Sequence, residues 1–422
     1  MRQKRQNHKK SATFFSRHHH IKHILIGVAV VFGVLFGLLI YSKVRVGLQQ
    51  AKLAPFYDTT GLPTNGPLGE VVRQEPLGVV VAGGSAYRIL YRTQKFDGTN
   101  TFSSARLFIP DNNSGGNPRP VVAWAHGTLG LGDQCAPSRA ANPVANFDWV
   151  SDMLQKGWVV TATDYAGFGT AGTQGYLVGD DEAHDVLNSV RAAQNFPGSG
   201  ASANFAVWGH SQGGHSALFT ASQASAYAPE LKLVSTVASA PAAELPTLFS
   251  EQYNTVIDWV IGPLVGVAWP AVNSSLNVDD IMTTAGKNNY QRMAQQCIPV
   301  TTLGGLTRTA LKQSFFKTNV VDVPAWMAMA QQQTAPTLSA DKPLLVVEST
   351  SDQVVLPDTT ALYIKNACQA GSNLTSLWVG DVGHMQIPNV TAPDVITWLS
   401  DRFSGKPTSP SCANTLPVSP ST

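Results

Sequence analysis

The feature that most restricts the fold is a junction at the middle of the chain. The apolar run NFAVWGHS (Asn204–Ser211) passes into Gly209-His210-Ser211-Gln212-Gly213, then Gly214, then the small-residue stretch SALFTASQASA. A strand-like run that enters a helical run through closely spaced glycines describes a sharp strand-to-helix turn, since glycine omits the side chains that would clash there. Other continuous apolar runs resemble the first: PVVAWA before Gly127, Trp158–Tyr165, Leu231–Ala242, Pro343–Thr350 and Leu374–Asp381. Helical stretches alternate with them, at about Asp180–Asn195, at Gln212–Ala226 and in the closing DVITWLSDRF. Strands apolar on both faces, interleaved with helices, predict a mostly parallel sheet covered on both sides. Ahead of them, Tyr87–Thr93 and Thr101–Pro110, separated by FDGTN, read as an antiparallel hairpin.

The rhythm breaks once. Residues 244–336 show helical patterning without a clear parallel-strand run, as expected of a helical cap inserted before the next strand. The expected layout is a core over 76–243 and 337–405, a cap over 244–336, a linker over 42–75 and a Pro/Ser-rich tail over 406–422. At the other end, Arg2, Lys4, Arg5, Lys9, Lys10, Arg17 and Lys22 precede an uncharged apolar run, Ile24–Tyr41. That run approaches the thickness of a bilayer core, and the basic residues before it orient the rest of the chain outward. Residues 1–41 are therefore expected to form a cytoplasmic basic segment and membrane anchor, with a long cleaved signal segment as the alternative. Without those seven cations the chain is slightly acidic, and the whole carries only +2, which gives no reason to expect a nucleic-acid partner. Charged residues make up 13% and hydrophobic ones 43%, in keeping with a large core. Cys135, Cys297, Cys368 and Cys412 lack zinc-type spacing, and in an exported chain they read as two disulfides, with three pairings open.

The turn at Ser211 is the G-x-S-x-G elbow that presents a serine hydroxyl for nucleophilic attack in α/β-hydrolases. That scaffold needs an acid and then a histidine further along the chain. Two histidines follow. His215 is too near in sequence for an acid to intervene, which leaves His384, just after the last strand run. The expected acid is Asp352, at the end of the Pro343–Thr350 run. Asp358 is the replacement; Asp341 precedes the strand and Asp381 is too close to His384. The loop Ala125-His126-Gly127-Thr128-Leu129-Gly130 suits half of an oxyanion hole. The N–H of Thr128 is the expected donor together with that of Gln212, with Gly127 and Leu129 as alternatives. Asp164 and Tyr165, at a strand end, are expected to anchor a loop rather than to react.

These residues resemble a known family, the secretory lipases related to yeast lipase A. The resemblance rests on HGTLG, CAPS (Cys135–Ser138), DYAGFGTAG (Asp164–Gly172), YLVG (Tyr176–Gly179), VLNSVRAAQNF (Val186–Phe196), GHSQGG, SDQVV and VGH, across roughly residues 85–400. It implies an α/β-hydrolase core with a helical cap, hydrolysis of lipid or other esters, no cofactor and no metal. It also favours Cys135–Cys297 and Cys368–Cys412 as the bridges. The apolar segment Val256–Val272, with Trp259 and Trp269, is expected to line an acyl-chain pocket or face a lipid interface, or else to form the core of the cap. The leading functional expectation is serine-dependent ester hydrolysis of triacylglycerol or similar lipids through an acyl-enzyme. Hydrolysis of short soluble esters or peptides, and a non-catalytic binding module, are the alternatives. Oligomeric state is not legible.

Overall fold

The computed structural model of the chain describes residues 33, 37, 40, 41, 43–112, 115–145 and 147–421. The basic segment 1–23 and most of the apolar run 24–41 lie outside these residues. Among those described, no helix is long and apolar enough to cross a membrane. The chain divides into two compact units, residues 1–55 and 56–422. Residues 43–55 of the first are helical.

The second unit is organised by a sheet of nine strands among the described residues: β1 (Val71–Pro76), β2 (Gly84–Gln94), β3 (Asn100–Pro110), β4 (Arg119–Ala125), β5 (Val159–Thr163), β6 (Ala201–His210), β7 (Lys232–Ser239), β8 (Leu344–Ser349) and β9 (Leu374–Val379). Their spatial order is β1-β2-β3-β5-β4-β6-β7-β8-β9. The first three are antiparallel neighbours, β3 joins β5 antiparallel, and all pairings from β5 to β9 are parallel. This is the α/β-hydrolase architecture expected from the alternating runs. The sequence reading placed residues 71–75 in a linker, whereas they form most of the edge strand β1. VVRQEP is only half-buried and has no apolar alternation, so pairing with β2 rather than its own pattern makes it a strand.

The centre of the sheet explains its continuous apolar runs. Val121 and Ala123 of β4 and Phe205 and Val207 of β6 face one core. Their immediate neighbours Val122, Trp124, Ala206 and Trp208 face the other. Successive side chains point to opposite faces, and here both faces are buried. Helices α1 (Val150–Gln155), α2 (Gly179–Asn195) and α3 (Gln212–Tyr227) follow β4, β5 and β6. Val186, Leu187 and Ala217 place α2 and α3 against the first face.

Between β7 and β8 lie α4 (Leu245–Glu251), α5 (Val256–Val272), α6 (Thr284–Lys287), α7 (Tyr290–Ala294), α8 (Ile298–Ala310) and α9 (Pro324–Gln332). Trp259 and Trp269 of α5 are fully buried, Trp259 edge-on to Phe315 and Trp269 stacked near Trp326. Gly262 permits that packing, because a Cβ there would meet the Phe315 ring at 2.4 Å. Helices α10 (Pro357–Gln369) and α11 (Ile387–Phe403) complete the chain's regular elements.

Both bridges have the pairing that the family resemblance favoured, Cys135–Cys297 and Cys368–Cys412. The first ties the start of α8 to the loop after β4, where Ile298 N–H also donates to Leu129 O at 3.1 Å. The second holds the tail along the outer edge of β9. There Ser411 N–H donates to Leu374 O and Ser376 N–H donates to Ser411 Oγ. A chain laid against an edge strand occupies the backbone groups that would otherwise pair with another sheet.

Candidate active site

Strand β6 ends at His210 and α3 begins at Gln212, which leaves Ser211 alone to turn the chain. Its φ of 59° and ψ of −119° are a conformation L-residues rarely adopt. The flanking glycines are obligatory for steric reasons. A Cβ on Gly209 would lie 1.8 Å from Gly213 O, and one on Gly213 would lie 1.9 Å from Ala125 O. The elbow is thus wedged against the end of β4, beside the His126–Gly130 loop.

His384 follows β9 and returns over the elbow. Its carbonyl accepts from His210 Nε2 at 3.0 Å, and the two rings lie 4.6 Å apart. Burial, with the neighbouring His384, holds the His210 imidazole well below its ordinary range, so it stays neutral with its proton on Nε2. His384 Nδ1 donates to Asp352 Oδ2 at 2.6 Å; both side chains are buried. The other Asp352 oxygen accepts the N–H groups of Val354 and Val355, which fixes the carboxylate. Asp358, the alternative acid, instead accepts the N–H of Thr359 in the first turn of α10. The structure therefore brings Asp352 and His384 together beside the elbow. His384 Nε2 and Ser211 Oγ have no hydrogen-bond partner among the described residues, and Ser211 lines a cavity beneath the cap.

Thr128 and Gln212 line the same cavity. Neither backbone N–H is paired with another protein group among the described residues, and that of Gln212 is a free donor of the first turn of α3. Thr128 is held by Tyr176, whose hydroxyl lies 2.9 Å from its Oγ1. The sequence offered Tyr176 only as part of YLVG, with no sign of that role. His126 is a support rather than a reactive group. Its Nδ1 lies 2.7 Å from Gly127 O, its ring packs against Tyr165 and Phe168, and burial lowers its pKa to about 4.

Asp164 is spent on packing. It accepts from Ser104 Oγ at 2.7 Å and Ser138 N–H at 3.0 Å, and burial raises its pKa against the lowering effect of Arg106. Two buried carboxylates escaped the sequence reading. Glu348, on β8, is held well above the usual carboxylate range by burial and then by nearby Asp352, so it remains neutral. A neutral Glu348 spares Asp352 a like charge. Glu182, on α2, accepts from Gln212 Nε2 at 2.7 Å and from Leu177 N–H at 3.0 Å. Its second oxygen lies 2.9 Å from His215 Nδ1, and His215 Nε2 lies 2.9 Å from Gln333 O. Sequence spacing gives no sign of this network, because α2, α3 and α9 meet only in three dimensions.

The rest of the cavity wall is mainly hydrocarbon from α4 and α5, with Leu245, Leu248, Phe249 and Ile261, plus Phe316 and Val355. Val256–Val272 therefore both lines the cavity and packs the interior of the cap. Ile257, Asp258, Ile261 and Gly262 face the cavity, and its tryptophans form the cap core.

The model of the secretory lipase family matches residues 142–411. The chain belongs to the secretory lipase family. Accordingly it is a carboxylic ester hydrolase. Among its relatives are a secreted triacylglycerol lipase of Malassezia globosa, 24% identical over 82% of this chain and 76% of the relative, and a probable inactive lipase of Mycobacterium tuberculosis, 23% identical over 78% and 76%. The fold is shared with Candida antarctica lipase A in its closed state, at a TM-score of 0.68 and 18% identity over 87% of this chain and 91% of that one. It is shared also with a rice cell wall degrading esterase of Xanthomonas oryzae, at 0.69 and 18% over 81% and 99%.

Proposed function

We propose that this secretory lipase hydrolyses lipid esters, triacylglycerols or related ones, by a Ser–His–Asp mechanism through an acyl-enzyme. The observations that carry the reading are a strained Ser211 lining a largely apolar cavity and an Asp352–His384 pair tied to the neighbouring His210 of the same elbow. His384 Nε2 takes the Ser211 proton as Oγ attacks the ester carbonyl, and Asp352 holds the ring in the tautomer with hydrogen on Nδ1. The oxyanion that develops is stabilised by the N–H groups of Thr128 and Gln212. Protonated His384 then gives its proton to the departing alcohol, leaving Ser211 acylated. A water activated by the same imidazole releases the acid. The acyl chain lies along Leu245, Leu248, Phe249 and Phe316, where each buried methylene contributes about 0.8 kcal/mol.

The relative described as inactive makes this reading testable rather than automatic. The full chain is expected to hydrolyse nitrophenyl esters of graded chain length, and Ser211→Ala is expected to lose that activity. Turnover confined to short chains would replace the lipid reading by a soluble-ester one, and cleavage of peptides would favour a peptidase. The names of the secreted relatives, together with the basic residues before the apolar run 24–41, support an extracytoplasmic catalytic unit carried by an N-terminal anchor or signal. Recovery of the full-length chain from washed membranes, and not from the medium, is the expected result for an anchor.

A further inference from the structure

We propose that Asp258 is a specificity-determining residue that accepts a hydrogen bond from a substrate hydroxyl, so that the preferred esters carry a free hydroxyl on their acyl or alcohol portion. The inference deepens the reading above and rests on the cavity being the substrate site.

Asp258 lies in the first turn of α5, and Ile261 and Gly262 follow it at three and four residues. That spacing puts all three on one helix face, and all three line the cavity that also holds Ser211 and Gln212. The residue is only 5% exposed. One carboxylate oxygen accepts the N–H of Asn254 at 2.7 Å, which helps to start the helix. The other oxygen has no partner, and no cation offsets the charge, among the described residues. Apart from the Ser211 hydroxyl, the other polar side chains of the wall have partners, Gln212 Nε2 donating to Glu182 Oε1. Gln252 Nε2 donates to the carbonyls of Gln353 and Val354, its Oε1 accepts from Thr255 Oγ1, and the Thr128 hydroxyl meets that of Tyr176.

The unpaired oxygen opens onto the cavity, and a hydrocarbon ligand that displaces water there leaves it without a donor, which is unfavourable. A ligand hydroxyl satisfies it. A site that hydrogen-bonds a substrate hydroxyl rejects the analogue lacking it, because its own polar group is then stranded. The helix-start role explains one oxygen of Asp258 but not the one left over. The donor can come from a hydroxylated acyl chain or from the free hydroxyl of a partial glyceride.

The test compares kcat/KM ratios within single preparations, which are independent of the fraction of correctly folded enzyme. In the first arm, full-length protein is given nitrophenyl esters of straight-chain acids of four to twelve carbons and their terminally hydroxylated counterparts. In the second, 1-monoacylglycerol is compared with the dimethoxypropyl ester of the same acid. Wild type is expected to favour the hydroxylated member of at least one arm by roughly 10- to 100-fold, the worth of a hydrogen bond to a charged group. Asp258→Leu is expected to abolish that preference and Asp258→Asn to reduce it several-fold. The arm that responds identifies the portion recognised. No preference in either arm, or a preference that both variants retain, overturns the proposal. Hydrolysis of the plain butyrate ester by wild type but not by Ser211→Ala keeps the two readings separable. If none of the straight-chain esters is hydrolysed, it is the proposed function that fails.

Discussion

Two carboxylate–histidine pairs lie close to the Ser211 elbow, and they differ in one respect. Asp352 and His384 lie 2.6 Å apart, with the second ring nitrogen uncommitted among the described residues. Glu182 of α2 and His215 of α3 lie 2.9 Å apart, with the second nitrogen held by Gln333 O. Both pairs are buried. A base needs a nitrogen that can receive a proton, so only the first pair is equipped for chemistry. In the second, both nitrogens face oxygen acceptors. It fastens Gln212, and through Gln333 the end of α9, to the core.

The largest expected effect sharpens this contrast directly. His384→Ala should lower kcat by about 10⁴- to 10⁶-fold in the protein that remains folded. Asp352→Asn comes next. It keeps the shape but no longer enforces the Nδ1–H tautomer, for a loss on the order of 10⁴-fold. Comparable activity loss from Glu182→Gln would break the distinction. We expect that variant instead to lose about 1–3 kcal/mol of stability, because it weakens the buried hydrogen bonds that His215 Nδ1 and Gln212 Nε2 make to the carboxylate. Its kcat should fall by less than about tenfold, and melting curves with single-substrate kinetics separate the two outcomes.

The smallest effect concerns Asp258, a buried acid with no histidine at all. Burial raises its pKa from 3.8 to about 7. Between those values the unfolded chain has released the proton while the folded chain retains it, so the group makes stability fall as pH rises through that window. Asp258→Asn removes the loss. Its stability gain over wild type should be near zero at pH 4 and reach about 1–3 kcal/mol at pH 8, read from denaturant melts. A gain independent of pH would show that Asp258 does not carry this titration.

The elbow was legible because its constraint is local. Two glycines and a serine between a strand and a helix have few other uses, and clashes of 1.8 and 1.9 Å at Gly209 and Gly213 account for their identity. Asp352 and His384 were legible because chain order is a topological property of a parallel sheet. Strand β1 was not, since a polar edge strand takes its conformation from its neighbour. Nor was Glu182, whose side-chain partners Gln212 and His215 stand 30 and 33 residues away on another helix.

By itself the sequence determined the parallel sheet, the turn at Ser211 and the order of the three candidate catalytic residues, because hydrophobic periodicity and glycine sterics act over a few neighbouring positions. Tertiary structure alone decided which histidine keeps a free nitrogen, which amides remain unpaired beside Ser211, and that Asp258 faces the cavity without a cation. Those properties depend on what other segments bring within about 3 Å, and hydrogen bonding and desolvation are set by that proximity, not by distance along the chain.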